Sequence, residues 1–229
     1  MGGRAMIEFK NVTKVYNAKK GNAYEALHGV NMKIEDGELV AIVGKSGAGK
    51  STLLHILACI DTYEDGEFYI DDILIKNLSE KQMAQIRNEK IGLVMQDYAL
   101  VEDFTAMQNV MLPMDFAKKK RKKKDRKAEA MEVLRQLKLE EFADKTVSQL
   151  SGGQKQRVAI GRAIVNYPEV LLADEPTGAL DSTNAQAIME LFHMIHEKGT
   201  TVIIVTHDME IANECDRKIV IADGCIVEE

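Results

Sequence analysis

Residues 39–57 read LVAIVGKSGAGKSTLLHIL, and this stretch decides the fold. The apolar run from Leu39 to Val43 is typical of a buried strand, and it leads directly into a loop of small residues that starts at Gly44. The apolar residues that follow Thr52 recur with the spacing of a helix face. A strand, a Gly-rich loop and a helix in this order fit the phosphate-binding pattern Gly-x-x-x-x-Gly-Lys-Ser/Thr. We therefore expect this segment to bind the phosphates of a nucleoside triphosphate.

The loop residues have the properties that phosphate binding requires. Glycines let the backbone turn tightly and present its N–H groups, and the N-terminus of the following helix adds the positive end of its dipole. We expect Lys50 to reach the β- and γ-phosphates and Ser51 to ligate Mg²⁺. An ordinary Gly-rich turn before a helix is the alternative, and both flanks argue against it. The predicted nucleotide-binding residues here are Gly44, Lys45, Ser46, Gly47, Ala48, Gly49, Lys50, Ser51 and Thr52.

Length and composition set the protein class. The chain has 229 residues, which fits one large domain or a core domain with one sub-domain. No apolar run approaches the roughly 18 to 20 residues of a membrane-spanning helix, and no signal-peptide pattern opens the sequence, so we expect a cytosolic protein. The three cysteines have no metal-binding spacing and predict neither a zinc site nor a disulfide framework. We expect residues 1–5 to be a remnant before a natural start at Met6, and one domain over 6–229.

A basic run interrupts an otherwise acidic chain. Residues Lys118–Lys127 hold nine basic residues and one acid, although the whole chain has a formal net charge of −6. Such a run is usually a solvated segment or helix end. Contact with an anionic membrane surface is the alternative. We expect no direct nucleic-acid binding, because basic surface elsewhere and aromatic residues for base stacking are lacking.

The first third of the chain reads as strands broken by turns. Strand patterns cover residues 7–16, 27–34, 39–43, 68–70 and 73–75, and Asp36-Gly37 and Asp65-Gly66 are the turn signals between them. Residues 79–165 then show helical spacing, interrupted by a strand-like run at 91–95 and by Pro113. The amphipathic pattern over 128–139 indicates a helical sub-domain, which we place at about 97–165.

From Val170 onward, continuous apolar strands alternate with helices, which indicates a parallel sheet covered on both faces. The fold class is therefore α/β: a P-loop NTPase core with a mostly parallel sheet, an antiparallel β layer and an inserted helical sub-domain. The apolar run 170–173 ends in two adjacent carboxylates, Asp174 and Glu175. We expect Asp174 to hold Mg²⁺ opposite Ser51, and Glu175, on the other side of the strand by alternation, to polarise the attacking water.

The stretch Leu150-Ser151-Gly152-Gly153-Gln154 resembles the signature sequence of ABC-transporter ATPase subunits, which most P-loop proteins lack. The family's other elements are present in order from Met6 onward. The resemblance implies that Tyr16 stacks on adenine and that Gln96 senses Mg²⁺ and the attacking water. It also implies that Asp181 lies in a loop that crosses a dimer interface, and that His207 contacts the γ-phosphate.

The signature also predicts how two copies assemble. Ser151, Gly152, Gly153 and Gln154 at a helix N-terminus would form a second anion site. One chain's P-loop and its own signature would bind different nucleotides, so the resemblance implies an ATP-dependent head-to-tail homodimer with two ATP molecules between the subunits.

Two further stretches, 104–113 and 173–181, resemble the branch of macrolide exporters, lipoprotein-release ATPases and peptide-antibiotic resistance transporters, the MacB/LolD-like branch. This implies a peripheral ATPase on the cytoplasmic face of the membrane that drives a transmembrane permease, with an antimicrobial peptide, lipopeptide or related amphiphile as cargo. A motor for a cell-wall or division complex that transports nothing is one alternative. A soluble ATPase acting on nucleic acid is another, although 229 residues leave no room for the coiled-coil insertion or second ATPase domain usual there.

Overall fold

The computed structural model describes residues 5–17 and 22–228, and it contains two β-sheets with helices around them. Residues 1–4 of the segment that we interpreted as a start remnant lie outside the described part, and Ala5 already belongs to the first strand. The strands are β1 (Ala5–Tyr16), β2 (Tyr24–Glu35), β3 (Leu39–Val43), β4 (Asp65–Ile70), β5 (Ile73–Leu74), β6 (Ile91–Val94), β7 (Val170–Asp174), β8 (Thr201–Thr206), β9 (Arg217–Ala222) and β10 (Cys225–Glu228).

The larger sheet has six strands in the order β10-β9-β3-β8-β7-β6. Its pairs are parallel except for the β9–β10 hairpin at one edge. All five residues of β3 and all six of β8 are buried, as expected for strands covered on both faces. The parallel arrangement brings the C-terminal ends of β3, β7 and β8 to one edge of the sheet, and this edge is where the phosphate loop begins.

The smaller sheet is antiparallel, with the order β2-β1-β4-β5. It is the antiparallel layer that the sequence predicts, but one of its turns lies elsewhere. Asp65 and Gly66 belong to β4, next to a register irregularity in the β1–β4 pairing, whereas Asp71 and Asp72 make the β4–β5 turn. Both turn residues have positive φ, the conformation that two-residue hairpins need. Asp65-Gly66 was therefore wrong as a turn between strands, whereas Asp36-Gly37 does form the turn between β2 and β3.

The helices are α1 (Lys50–Leu57), α2 (Glu80–Lys90), α3 (Ala106–Phe116), α4 (Lys123–Gln136), α5 (Gly152–Ile164), α6 (Ser182–Glu197) and α7 (Met209–Asn213). Pro113 does not interrupt the helical segment as expected, because α3 continues through it to Phe116. Val110 and Met114 on the inner face are buried at 0% and 1% exposure, and this packing holds the last turn in place despite the missing N–H donor.

Two large hydrophobic clusters make up most of the core. One fills the space between the antiparallel sheet, α1 and one face of the larger sheet. The other joins the opposite face of the larger sheet to α6 and to the helical segment α3–α5 without interruption. The predicted sub-domain at about 97–165 therefore shares its core with the sheet, and its boundaries stay a prediction. Among the described residues, no helix is both long and apolar enough to span a bilayer.

Candidate functional site

The phosphate loop connects β3 to α1, and two of its glycines have no tolerable substitute. A Cβ atom on Gly44 would lie 2.3 Å from the carbonyl oxygen of Ile221, so the backbones of the loop and of β9 meet too closely for a side chain. Gly49 precedes α1 with φ +105°, and a Cβ atom there would lie 2.9 Å from the carbonyl oxygen of Ala26. The loop's shape thus depends on glycine at both of its ends.

The Lys50 side chain folds back over this loop. Its ammonium group donates hydrogen bonds to the carbonyl oxygens of Gly44 at 2.7 Å and of Lys45 at 3.0 Å. The amine is thereby held over the turn at the start of α1, where the helix dipole favours an anion.

A pocket of about 580 Å³ opens beside the loop and brings together most of the predicted site residues. Its lining consists of Tyr24, Ala26, Ser46, Gly47, Gly49, Lys50, Ser51, Thr52, Gln96, Asp174, Glu175 and His207. Gly44, Lys45 and Ala48 belong to the loop but not to this lining. The residues that do line it come from the start of β2, the phosphate loop, the first turn of α1, and the C-terminal ends of β6, β7 and β8 or just beyond them.

The two adjacent acids both face this pocket. The alternation argument that put them on opposite sides was wrong, because β7 ends at Asp174 and Glu175 has φ +43°, outside strand geometry. The Glu175 amide still donates to the carbonyl of Val205 at 2.8 Å, which fixes the turned backbone to the end of β8. A left-handed residue at a strand end turns its side chain back toward the pocket.

Glu175 is positioned by two neighbours on β8 and just beyond it. Its Oε1 lies 2.7 Å from Nδ1 of His207, and its Oε2 accepts a hydrogen bond from the Thr206 hydroxyl at 3.2 Å. The Glu175 side chain is 13% exposed, whereas that of His207 is 73% exposed. Sequence reasoning missed Thr206, whose hydroxyl also accepts from the Asp208 amide at 3.0 Å. Thr206 directly precedes the predicted site residue His207, and this position was the sequence signal that could have identified it.

Asp174 has the environment of a carboxylate that would benefit from a cation. Burial raises its pKa above the usual range and the nearby Glu175 charge adds to this, while His55 and Lys50 oppose it. The Ser51 hydroxyl and the Gln96 side chain line the same pocket. Oxygen donors of this kind suit Mg²⁺, so the residues present fit the predicted metal.

Gln96 lies just after β6, in a segment that is fastened to α5. The Arg162 guanidinium donates to the carbonyl oxygens of Ala99 at 2.5 Å and Tyr98 at 2.8 Å. Burial lowers the pKa of Arg162. The backbone that follows Gln96 is thus tied to the helix that begins with the signature sequence.

The predicted adenine-stacking residue, Tyr16, does not line the pocket. Its hydroxyl donates to Oδ2 of Asp61 at 2.8 Å, and the Lys14 ammonium lies 4.8 Å from its ring centre. Tyr24 pairs with Tyr16 across β1 and β2, lines the pocket and is 57% exposed. Sequence reasoning missed Tyr24, because only the pairing of the two strands brings it to the loop. The stacking role of Tyr16 stays a prediction.

The signature residues lie outside the pocket, at the N-terminus of α5. Ser151 caps this helix: its Oγ accepts from the Gln154 amide at 3.3 Å, and Gln154 Oε1 accepts from the Ser151 amide at 2.8 Å. Ser151 and Gly152 are exposed. Asp181, the other residue predicted to reach across an interface, is exposed and caps α6 through the Asn184 amide at 2.9 Å, a contact that lowers its pKa.

Comparison with known proteins agrees with this arrangement. The sequence pattern of the ABC transporter family matches residues 27–178. The chain belongs to the ABC transporter family. It is 45% identical over 227 residues to the ABC transporter ATP-binding protein MJ0796 of Methanocaldococcus jannaschii, covering 98% of this chain and 96% of that one.

A second relative fits the predicted branch of ABC transporters. The macrolide export ATP-binding/permease protein MacB of Brucella melitensis is 42% identical over 230 residues. The match covers the whole of this chain and 35% of the length of MacB. Among solved structures, the dimeric post-hydrolysis state of the ATP-binding cassette MJ0796 bound to ADP and Pi has a TM-score of 0.90 at 43% identity, with 97% of both chains covered.

The fold, the pocket and these relatives together make this ABC protein an ATPase. The relative with ADP and Pi bound is in a post-hydrolysis state, and the α/β architecture observed here is that of the P-loop NTPases. In the described ranges, 5–17 and 22–228, no group of three or more His, Cys, Asp or Glu side chains is arranged to hold a metal by itself.

Proposed function

We propose that this chain is the ATP-hydrolysing subunit of a membrane transporter, peripheral on the cytoplasmic face, in which two copies close head to tail over two ATP molecules. The observation that carries the proposal is the separation of the two predicted anion sites. The P-loop pocket contains Lys50, Glu175 and His207, whereas the Ser151 end of α5 is exposed outside it. A second copy, turned by a two-fold rotation, would bring its α5 N-terminus to the open side of the first pocket.

The roles of the site residues follow from their contacts. Lys50 would exchange its two loop carbonyls for phosphate oxygens, and Ser51, Gln96 and Asp174 would hold Mg²⁺, which neutralises phosphate charge when bound. Glu175 would accept the proton of the attacking water. His207 would orient Glu175 through the 2.7 Å contact and contact the γ-phosphate, so hydrolysis would loosen the closed dimer.

A groove on the helical segment suits a permease partner. It has a volume of about 390 Å³ and lies between α2, β6, α3 and α5. Pro113, Leu112 and Phe116 provide an apolar side, and the Phe116 side chain is 71% exposed. Because Arg162 of this groove also holds the segment after Gln96, a segment of the permease docked here would contact the element that leads into the ATP site.

Substrate recognition would then reside in the permease, with an antimicrobial peptide, lipopeptide or related amphiphile as cargo. Support for this class comes from the branch resemblance and from the similarity to MacB, which is named as a macrolide exporter. The same motor could equally drive a cell-wall or division complex, and an assay of cargo movement separates these two outcomes.

A pull-down from solubilised membranes tests the partner. Tagged Glu175→Gln protein with ATP and Mg²⁺ should recover a polytopic membrane protein, because a long-lived closed dimer retains its partner. Phe116→Asp in the same background should reduce the recovery at least about tenfold, since it puts a charge in the apolar groove. The matched control Tyr167→Asp changes another exposed aromatic, 69% exposed and outside the groove, and should leave recovery unchanged. Recovery of nucleic acid without a membrane protein would contradict the proposal.

A further inference from the structure

The basic run at 118–127 connects α3 to α4 and continues into the first turn of α4, and the structure divides its nine basic residues into two groups, with Lys120 apart from both. The two arginines hold the segment to the body of the protein. Arg121 donates to Oδ1 of Asn166 at 3.0 Å and pairs with Glu129 at 3.3 Å, and Arg126 pairs with Asp115. The segment is therefore anchored beside the apolar groove, because Asn166 lines that groove.

Six lysines make up the second group, and their charges are directed to solvent. All six are exposed, and their side chains make no hydrogen bond or ion pair with any described residue: Lys118, Lys119, Lys122, Lys123, Lys124 and Lys127. Lys120 differs, since its ammonium group donates to the Asp115 carbonyl at 2.8 Å. The acids nearby do not neutralise the six. Asp115 and Glu129 are paired with the arginines, which leaves Asp125 as the exposed acid within the run.

An exposed aromatic side chain lies next to this charge. Phe116 ends α3 two residues before Lys118, and at 71% exposure it is the most exposed large hydrophobic residue in the described part of the chain. An aromatic ring beside clustered lysines is the combination that binds at the boundary between lipid headgroups and acyl chains. A merely solvated helix end would not need the exposed ring.

We propose that the six exposed lysines and Phe116 form a lipid-binding surface for the anionic headgroups of the membrane. The lysines attract the headgroups, and the Phe116 ring, which also lines the groove proposed for the permease, enters the interface when no permease segment is docked. Since the rest of the chain carries a net negative charge, the field of an anionic membrane attracts this surface and repels the remainder on balance, which orients the molecule. The partner is the bilayer itself, so binding does not require a permease.

The test uses the full chain and vesicles, with no permease present. The protein should co-sediment with vesicles of phosphatidylcholine mixed with phosphatidylglycerol, and it should not co-sediment with vesicles of phosphatidylcholine alone. One lysine near an anionic surface strengthens binding roughly fivefold. Replacing all six by Gln should therefore lower the partition coefficient at least about 100-fold. Raised salt should release the parent protein in the same way.

A matched variant controls for net charge. Six exposed lysines elsewhere, changed to Gln, give the same total charge: Lys33, Lys81, Lys138, Lys145, Lys198 and Lys218. This variant should bind anionic vesicles within about threefold of the parent, because local clustering and not net charge sets the affinity. Phe116→Ser should weaken binding severalfold at every salt concentration, since its contribution is apolar.

Several results would overturn the proposal: no binding to anionic vesicles, equal binding to neutral ones, an equal loss in the control variant, or displacement from vesicles by short DNA or RNA duplexes. The six-lysine variant should keep the parental ATPase rate in solution, which shows that it folds. The vesicle assay contains no permease, and the six lysines do not line the groove proposed for it, so the result of the six-lysine variant leaves the transporter proposal standing if it fails, and the reverse also holds.

Discussion

Glu175 illustrates how a single backbone angle creates a reactive geometry. Its positive φ and the hydrogen bond of its amide to Val205 turn the carboxylate into the pocket, where His207 and Thr206 hold both oxygens. Glu175→Gln removes the proton acceptor and keeps the phosphate loop. We expect the ATP turnover rate to fall at least about 100-fold while ATP affinity stays within about twofold, measured by single-turnover kinetics and equilibrium binding.

Glu210→Gln is the matched control for this change. Glu210 is an exposed carboxylate at the start of α7 and does not line the pocket. The Glu210→Gln substitution removes the same charge as Glu175→Gln and should keep the parental rate of ATP turnover. Parental turnover in Glu175→Gln would refute the role of Glu175 as the base.

The raised pKa of Asp174 can be tested through protein stability, without measuring ATP turnover. Its pKa is raised by burial and by Glu175, which means that the charged carboxylate is less favourable in the folded than in the unfolded protein. This penalty is present above the raised folded pKa and disappears as pH falls through it. Asp174→Asn should therefore raise the melting temperature of the nucleotide-free protein at neutral pH, and should raise it less in mild acid, where the parent carboxylate is partly protonated.

Thermal unfolding with and without Mg²⁺ and ATP supplies the second half of this test. The parent protein should gain more stability from Mg²⁺-ATP than Asp174→Asn does, because the variant lacks the carboxylate that holds the cation. A variant that is less stable than the parent at neutral pH would show that the carboxylate has a favourable partner in the folded protein.

At the scale of elements, α2, α3 and α5 begin with the same capping box, and the caps of α3 and α5 form a matched pair for testing the signature. Thr105 caps α3 with Gln108 as its partner, and Ser151 caps α5 with Gln154. Thr105→Ala and Ser151→Ala should each lower the free energy of unfolding by about 1 kcal/mol, measured with urea. Only Ser151→Ala should also weaken ATP-dependent dimerisation of Glu175→Gln protein, by at least about tenfold, because the same hydroxyl would face the partner's ATP.

Thr105→Ala thus controls for the loss of a cap. If both variants dimerise as the parent does, Ser151 is a structural cap and no more. If both lose dimerisation equally, the effect is one of stability and the signature carries no special contact.

The elements that the sequence predicts best are those fixed by local pattern. β3 covers residues 39–43 as expected, because five buried apolar residues end directly at Gly44. The apolar face predicted over 128–139 consisted of Ala130, Met131, Val133, Leu134 and Leu137, and all of these are buried except Met131, which is partly buried. The errors arise where distant contacts decide. Strand alternation misplaced Glu175 because Val205 on a neighbouring strand holds its backbone in a left-handed turn.

The site residues also divide into those that local sequence pattern predicts and those that distant contacts bring into place. The loop residues around Lys50 were predictable because their function depends on consecutive positions. Tyr24 was not, because it reaches the pocket through its pairing with Tyr16 across two strands that are distant from the loop in sequence. Gln96, Asp174 and His207 do line the pocket, and the parallel order of β6, β7 and β8 is the physical reason that they meet there.

For the whole molecule, the shared core predicts that the helical segment does not fold alone. Leu171 and Ala173 of β7 and Phe192 of α6 belong to the same buried cluster as the inner faces of α3, α4 and α5. A fragment of residues 97–165 would expose its part of that cluster to water, and it should show no cooperative thermal transition by circular dichroism. The full chain measured in parallel is the control, and a cooperative transition in the fragment would establish an independent sub-domain.

The continuity of this core also limits the kind of movement that ATP can produce. A hinge needs two bodies joined by a few residues, but α5 packs against β6 on one side and against α3 and α4 on the other. Displacement of the helical segment would have to slide these packed surfaces past each other, which is a shear, and each step of a shear is limited by the side chains that must repack. A transport cycle built on this protein would therefore transmit small shear displacements rather than large hinge rotations.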